Sequence, residues 1–413
     1  MTDSIKLDYS LRNKEEIFNI PYSKSISNRV LLINYLSKNK LQLERLSQSD
    51  DTTLLKSIIN SIETKQTSSF NTCNAGTTTR FLIALLSIIQ GQWVVNADER
   101  MNDRPILPLV NSLQQLGADI SINSEQKIFP ITIKGTTLKG GKTIKVASSQ
   151  SSQIVSALSL IAPYCEGGLN IEYPKGQTSL SYIDMTLSIM QNCKIAIKRE
   201  DNLICIREGE YKFNKEIFEA DWSSASFAYA LVAISKEIKL FIPGLKEDSL
   251  QGDKVVKDIF LNIFGVVTTF TEEGAYIEYS SEVEKQFNEV NFSSCPDLFL
   301  PVLVSYICTE SQMIFSGLQT LSLKESDRLN NAIQQIEKLN AKTNLEDFVL
   351  KVDKSKLCFD NSLKFIPTYN DHRMAMAFSL LAIKDKGIVI ENPNCVSKSF
   401  PMYWEELSKF FSY

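Results

Sequence analysis

The feature that most constrains this chain is a repeat. Six almost wholly apolar helical runs each follow a short polar signature. They are Ser27-Asn28-Arg29 before VLLINYL, Gly76-Thr77-Thr78-Thr79-Arg80 before FLIALLSII, and Ser151-Ser152-Gln153 before IVSALSLIA. The other three are Ser223-Ser224-Ala225-Ser226 before FAYALVAI, Pro296-Asp297 before LFLPVLVSYI, and Asp371-His372-Arg373 before MAMAFSLLAI. The starts at 27, 76, 151, 223, 296 and 371 lie 49, 75, 72, 73 and 75 residues apart. A near-constant period of this size marks one supersecondary unit used repeatedly. A helix that is apolar all round must be buried. Between these helices recurs an amphipathic one that ends in a short β-branched run, as in LPLVNSLQQLGADISI and DKVVKDIFLNIFGVVTTF. Each unit therefore reads as strands plus one buried and one amphipathic helix, an α/β class. A chain of 413 residues exceeds what one core serves, so the six units divide into two domains of three.

The charge and side-chain inventory narrows the function. Lys and Arg number 44 against 48 Asp and Glu, a net charge of −4, which gives no electrostatic case for a nucleic-acid or membrane partner. A single histidine, His372, excludes a zinc site built on several imidazoles and carries any imidazole acid–base role. The eight cysteines are scattered with no C-x-x-C pair, so they read as reduced and mostly buried. The first residues lack the apolar stretch of a signal peptide, and no run approaches a membrane span. A cytoplasmic protein is expected.

The helix openings carry the chemistry. Ser, Thr and Asp are good N-caps, which explains any one of them alone. Six such starts converging on a cleft favour anions through their first N–H groups and positive dipole ends. Charged motifs supplement them. Lys24 and Arg29 bracket two serines and suit a phosphate, Arg as a planar fork and Lys as a point charge. Asn74-Ala75-Gly76 is a glycine turn entering a helix. Arg104-Pro105-Ile106 fits a helix start with Pro at its first position. Lys324-Glu325-Ser326-Asp327-Arg328 alternates bases and acids, Asp371-His372-Arg373 heads an apolar helix, and Ser397-Lys398-Ser399 is a basic loop. The expected ligand is a small, multiply charged anion bound between two domains.

The motifs KSISNR, NAGTTTRF, RPI, SSQ, KESDR and YNDHRMAM, in that order from about Pro21 to Trp404, closely resemble the EPSP synthase (3-phosphoshikimate 1-carboxyvinyltransferase) family of enolpyruvyl transferases. The resemblance implies two similar domains, each of three βαβαββ units in an inverse α/β barrel-like arrangement shared with RNA 3′-phosphate-processing relatives, and an interdomain active-site cleft. It places one domain at 21–220 and the other at 1–20 plus 221–413. It implies transfer of the enolpyruvyl group of phosphoenolpyruvate to the 5-hydroxyl of shikimate 3-phosphate, with release of phosphate. It requires no metal and no organic cofactor, and a monomer is expected. Carried over residue by residue, shikimate 3-phosphate meets Lys24, Ser25, Arg29, Ser151, Ser152, Gln153, Ser179, Tyr182, Asp297 and Lys324. Phosphoenolpyruvate meets Lys24, Asn74, Gly76, Arg104, Gln153, Arg328, Arg373 and Lys398. Asp297 and Glu325 are the proton-transfer carboxylates, with Lys24 and His372 beside them.

The charges fit. At about −1.5 to −2 per phosphate, plus one per carboxylate, the two substrates carry about −5 to −6. The matched cations are Lys24, Arg29, Arg104, Lys324, Arg328, Arg373 and Lys398. The chain departs from the family pattern at Tyr22, where glycine is usual, at Phe81, where many members have proline, and at Thr320, where many have Asn. Cys295 before Pro296-Asp297 has no functional account. A sister transferase acting on UDP-N-acetylglucosamine usually has a reactive Cys shortly before the Arg-Pro element. Here that stretch is Glu99-Arg100-Met101-Asn102-Asp103. A non-catalytic anion binder is disfavoured by the retained Asp297, Glu325, Lys24 and Arg373. An RNA-end-processing relative is disfavoured by the acidic balance.

Overall fold

A computed structural model describes residues 4–11, 14–147, 151–286 and 288–412. The chain forms two compact units, Lys24–Phe218 and the combination of Met1–Ser23 with Glu219–Tyr413. Three N-terminal strands precede the first unit and belong to the second: β1 (Ser4–Lys6), β2 (Asp8–Tyr9) and β3 (Glu15–Ile17).

The Lys24–Phe218 unit begins with two helices, α1 (Lys24–Leu36) and α2 (Asp50–Glu63). There follow β4 (Ser69–Asn71), α3 (Gly76–Ile88), β5 (Gly91–Asn96), α4 (Leu107–Gln115), β6 (Asp119–Ser121) and β7 (Ile131–Gly135). The same pattern recurs as β8 (Thr143–Lys145), α5 (Ser152–Ile161), β9 (Leu169–Glu172), α6 (Leu180–Asn192), β10 (Ile197–Glu200) and β11 (Leu203–Ile206). The two sheets have equivalent orders, β4-β5-β7-β6 and β8-β9-β11-β10. In each the first two strands are parallel, and parallel neighbours need a crossover connection. The apolar helices α3 and α5 are those crossovers, which is why Phe81 through Leu86 are fully buried.

The unit formed with Glu219–Tyr413 continues with α7 (Trp222–Ser235), β12 (Lys239–Pro243), α8 (Val256–Phe264), β13 (Val266–Phe270) and β14 (Gly274–Tyr279). Next come β15 (Asn288–Asn291), α9 (Phe299–Cys308), β16 (Met313–Ser316), α10 (Arg328–Glu337), β17 (Lys342–Glu346) and β18 (Val349–Asp353). The last elements are β19 (Lys364–Ile366), α11 (His372–Ser379), β20 (Ile388–Glu391), α12 (Tyr403–Leu407) and β21 (Phe411–Ser412). Two four-stranded sheets repeat the earlier order, β3-β12-β14-β13 and β15-β16-β18-β17. The last repeat is a three-stranded sheet, β1-β20-β19, beside the pair β2-β21. Helices α7, α9 and α11 again cross between parallel strands, and Phe227 through Ile234 of α7 are at most 1% exposed.

The structure departs from the sequence-based expectation at three points. The first repeat keeps its helices but has no sheet among the described residues. The alternating Leu41-Gln42-Leu43 looks strand-like, yet its backbone bonds go to side chains. Leu41 exchanges both its N–H and C=O with the Asn34 amide, and the N–H groups of Glu44 and Arg45 donate to Glu216. Buried backbone groups need partners, and here side chains supply them in place of a ladder. Second, α1 starts at Lys24 and not at Ser27, so Lys24 and Arg29 both lie inside the helix. Third, Arg104-Pro105-Ile106 is not a helix start. The helix begins at Leu107, and the proline in its first turn is Pro108.

Candidate active site

The polar signatures of each unit gather into one cluster per unit. In the Lys24–Phe218 unit, Lys24 opens α1 and pairs with Asp51 in the first turn of α2 at 2.9 Å. Thr78 Oγ1 donates to the Asp51 carbonyl at 3.0 Å, so the starts of α1, α2 and α3 are tied together. Arg104 Nη1 donates to Asn74 Oδ1 at 3.2 Å and to its carbonyl at 3.3 Å. Its guanidinium lies across Gly76 so closely that an added Cβ would meet Nη2 at 2.4 Å. Glycine is required there by a close approach, as the turn motif suggests. Gln153, in the first turn of α5, donates from Nε2 to Thr77 Oγ1 at 3.0 Å.

Arg29 takes another role from the one its motif suggests. It is 2% exposed, and its guanidinium donates to Thr186 Oγ1, Ser156 Oγ and the carbonyls of Ser25 and Tyr182 at 2.7–3.3 Å. Three of these bonds brace α1 against α5 and α6, and the fourth, to Ser25, stays within α1. Burial pulls its pKa down to about 10.

At the starts of α3, α5 and α6 the N-cap side chain makes no capping bond, whereas Ser49 caps α2. Ala75, Ser151 and Ser179 hold the N-cap positions of α3, α5 and α6, and none caps through its side chain. Ser179 holds φ +57°, an uncommon left-handed conformation for a residue with a side chain. Ser25, Ser152 and Tyr182 lie in the first turns of α1, α5 and α6. Uncapped N–H groups with a positive dipole end suit anions.

The other unit is built differently. Asp221, Asp327 and Asp371 cap α7, α10 and α11 through their side chains, so those dipole ends are already neutralised. The attraction for anions comes instead from side-chain cations around Asp297. Arg328 Nη1 reaches Asp297 Oδ1 at 2.8 Å, Arg373 Nη2 reaches Oδ2 at 3.1 Å, and Lys324 Nζ is 3.4 Å from Oδ1. Burial opposes the Asp297 charge, but Arg373, Lys324 and Arg328 outweigh it and hold the carboxyl well below the usual range. Lys324 is lowered by burial, partly offset by Asp297. Arg328 also binds Glu325 Oε2 at 2.6 Å and Asp371 Oδ2 at 2.8 Å. Burial opposes its charge, and Asp371, Glu325 and Asp297 more than restore it. His372 begins α11, is 1% exposed, and has Nδ1 at 3.9 Å from Asp371 Oδ1. Lys398 ends the short helical turn Pro393–Lys398 that packs beside α11.

Four neighbours are not recognisable from sequence as site residues. Asp51 and Asp371 are indistinguishable in sequence from ordinary helix-start acids. Arg80 closes the polar signature before the second apolar run, but neither the motif nor the resemblance gives it a role. Asp253 opens the amphipathic segment DKVVKDIFLNIF, where an acid is ordinary, yet it is buried, accepts a hydrogen bond from Ser223, and has no partner for Oδ1 among the described residues. Burial, and then Asp297, push its pKa from 3.8 up to about 7. The folded protein therefore holds a proton on Asp253 that the unfolded chain has lost. This stability is full below about pH 4 and disappears as pH rises through about 7. Each tenfold gain in proton affinity on folding stabilises by roughly 1.4 kcal/mol. Asp253→Asn should flatten the melting-temperature profile between pH 4 and 8 and raise it above wild type at pH 8. A wild-type profile in this variant would show that Asp253 does not titrate there. Cys295 is pushed up by burial and by Asp253 and Asp297, so it is an inert thiol packed behind the acid.

Two clusters of buried cations and helix starts, with carboxylates held among the cations, define an enzyme that handles small polyanions. The chain matches the family described as EPSP synthase (3-phosphoshikimate 1-carboxyvinyltransferase) over residues 11–407. It is 35% identical to the 3-phosphoshikimate 1-carboxyvinyltransferase of Bacteroides fragilis (strain YCH46) over 392 residues, which cover 94% of each chain. It is 30% identical to the enzyme of that name from Haemophilus influenzae (strain Rd) over 425 residues, covering 96% of each. Its fold is that of the EPSP synthase of Acinetobacter baumannii, with a TM-score of 0.75, 18% identity and 99% of both chains covered. The enolpyruvyl transferase NikO of Streptomyces tendae shares it too, with a TM-score of 0.73, 12% identity and coverage of 98% and 97%. The chain belongs to the EPSP synthase family of enolpyruvyl transferases.

Proposed function

We propose a division of labour among these residues for the family's reaction, in which the enolpyruvyl group of phosphoenolpyruvate passes to the 5-hydroxyl of shikimate 3-phosphate and phosphate leaves. The observation that carries it is Asp297, an ionised carboxylate held by Arg328, Arg373 and Lys324. Such a carboxylate is a weak base while the cations face it alone. Bound phosphate and carboxylate groups of the substrates offset those cations and raise its affinity for a proton. Asp297 then accepts the proton of the 5-hydroxyl as oxygen attacks C2 of phosphoenolpyruvate. Glu325, fixed by Arg328, exchanges the proton at C3, which is added in the first step and removed as phosphate leaves.

Arg104, Gly76, Gln153 and Lys24 meet phosphoenolpyruvate, together with Arg328, Arg373 and Lys398. Ser25, Ser151, Ser152, Ser179, Tyr182 and Lys324 meet shikimate 3-phosphate. Arg29 serves that substrate by ordering the helix starts around it, and His372 supports Arg373 from within α11. We read 21–220 and 1–20 with 221–413 as the two functional domains. One chain carries both sets of residues, so a cytoplasmic monomer is the proposed working form, and light scattering tests its size.

The test is phosphate release from phosphoenolpyruvate with shikimate 3-phosphate or with UDP-N-acetylglucosamine as acceptor. Release with the first alone is expected. Release only with the second would overturn the acceptor assignment. A further expected result concerns Gly76. In Gly76→Ala the new Cβ displaces the Arg104 guanidinium, a flexible side-chain end, so the fold survives. The KM for phosphoenolpyruvate should rise about tenfold with little change in melting temperature. An unchanged KM would remove Arg104 from the site.

A further inference from the structure

Arg80 is the one cation of the NAGTTTRF motif with no assigned role, and it is 1% exposed. Its guanidinium reaches three separate elements. Nε and Nη2 both donate to the Pro105 carbonyl, at 3.1 and 2.9 Å. Nη1 donates to the Gly76 carbonyl at 3.0 Å and to Gln153 Oε1 at 2.7 Å. Pro105 follows Arg104 directly, and Gly76 is the residue against which Arg104 lies. Arginine is a donor only, so the Gln153 oxygen must face Arg80. The amide nitrogen then faces the other way. It places an N–H on Thr77 Oγ1, in the first turn of α3, at 3.0 Å.

We propose that Arg80 is a positioning residue for phosphoenolpyruvate, fixing the amide orientation of Gln153 and the backbone that carries Arg104. The assignment rests on the substrate reading given above. The fork geometry is essential to it. A lysine at this position keeps the charge but can neither chelate the Pro105 carbonyl through two N–H groups nor span to Gln153 at the same time. Loss of the clamp lets the Gln153 amide turn over and present its oxygen, an acceptor, to an anion.

Arg80→Lys, assayed by phosphate release, should raise the KM for phosphoenolpyruvate about tenfold while the affinity for shikimate 3-phosphate changes less than about threefold. In a Gln153→Ala background the same substitution should cost less than it does in the wild type, the remainder being the part carried through the backbone next to Arg104. A purely structural role gives the same loss in both backgrounds and moves both substrates together, and either result overturns the proposal. Thr77→Val removes the second anchor of the amide without touching the buried cation. It should raise the KM for phosphoenolpyruvate about threefold at an unchanged melting temperature. If Arg80→Lys does not fold, this variant decides, and an unchanged KM overturns the proposal. Wild-type protein that releases no phosphate with shikimate 3-phosphate overturns the substrate reading, and the role of Arg80 falls with it. A normal wild type with an unaffected Arg80→Lys variant overturns the role of Arg80 alone.

Discussion

Asp297→Ala should lower kcat about a thousandfold, within the range for loss of a positioned acid or base, while both substrates still bind. The retention of binding follows from the charges around the residue. Removing Asp297 leaves Arg328, Arg373 and Lys324 with less negative charge among them, so an anionic ligand is held at least as well. Asp297→Asn keeps the shape and should lose as much. Calorimetric titration with shikimate 3-phosphate checks the binding, and phosphate release checks the rate. Turnover near wild type in either variant would take Asp297 off the reaction path.

Arg328→Met should destabilise the protein as well as inactivate it. Arg328 is 1% exposed and touches three carboxylates, those of Asp297, Glu325 and Asp371. Breaking a buried ion pair from one side costs about 3–5 kcal/mol, because the other charge stays buried without compensation. Methionine fills much of the volume, so the loss is electrostatic and not a cavity effect. The sign with pH follows. Without the guanidinium the carboxylates bind protons more readily, so the deficit in melting temperature should narrow as pH falls from 7 towards 4. A deficit that stays constant over that range would point to packing as the cause.

The repeat was legible because its signal is spread over many residues. An apolar crossover helix such as α3 or α7 is written in eight or more consecutive side chains, and parallel strands on either side demand it. The absence of a sheet in the first unit was not legible, because Asn34 and the sequence-distant Glu216 satisfy the backbone of Leu41, Glu44 and Arg45 through side chains. Among site residues, Gly76 was legible through a local requirement for closeness. Arg29 was legible as a cation at a helix start, but not as one turned inward, since Thr186 and Tyr182 lie more than a hundred residues away. Asp253 and Arg80 stand in motifs read from the sequence, but their roles were not legible for the same reason. Their roles depend on burial and on partners from other repeats, and no local pattern records either.

The bare helix starts of α3, α5 and α6 have a consequence for how the chain tolerates change. Their first turns offer backbone amides, which every residue except proline carries. The N-cap side chains of Ala75, Ser151 and Ser179 make no capping bond and are freer to change on that ground, whereas Gly76, Thr77 and Gln153 in the same turns are fixed by close approach and hydrogen bonding. The start of α11 has no such tolerance, because Asp371 both caps the helix and pairs with Arg328. Variation among natural sequences should therefore be unequal. It should be looser at those three N-cap positions than around Arg328.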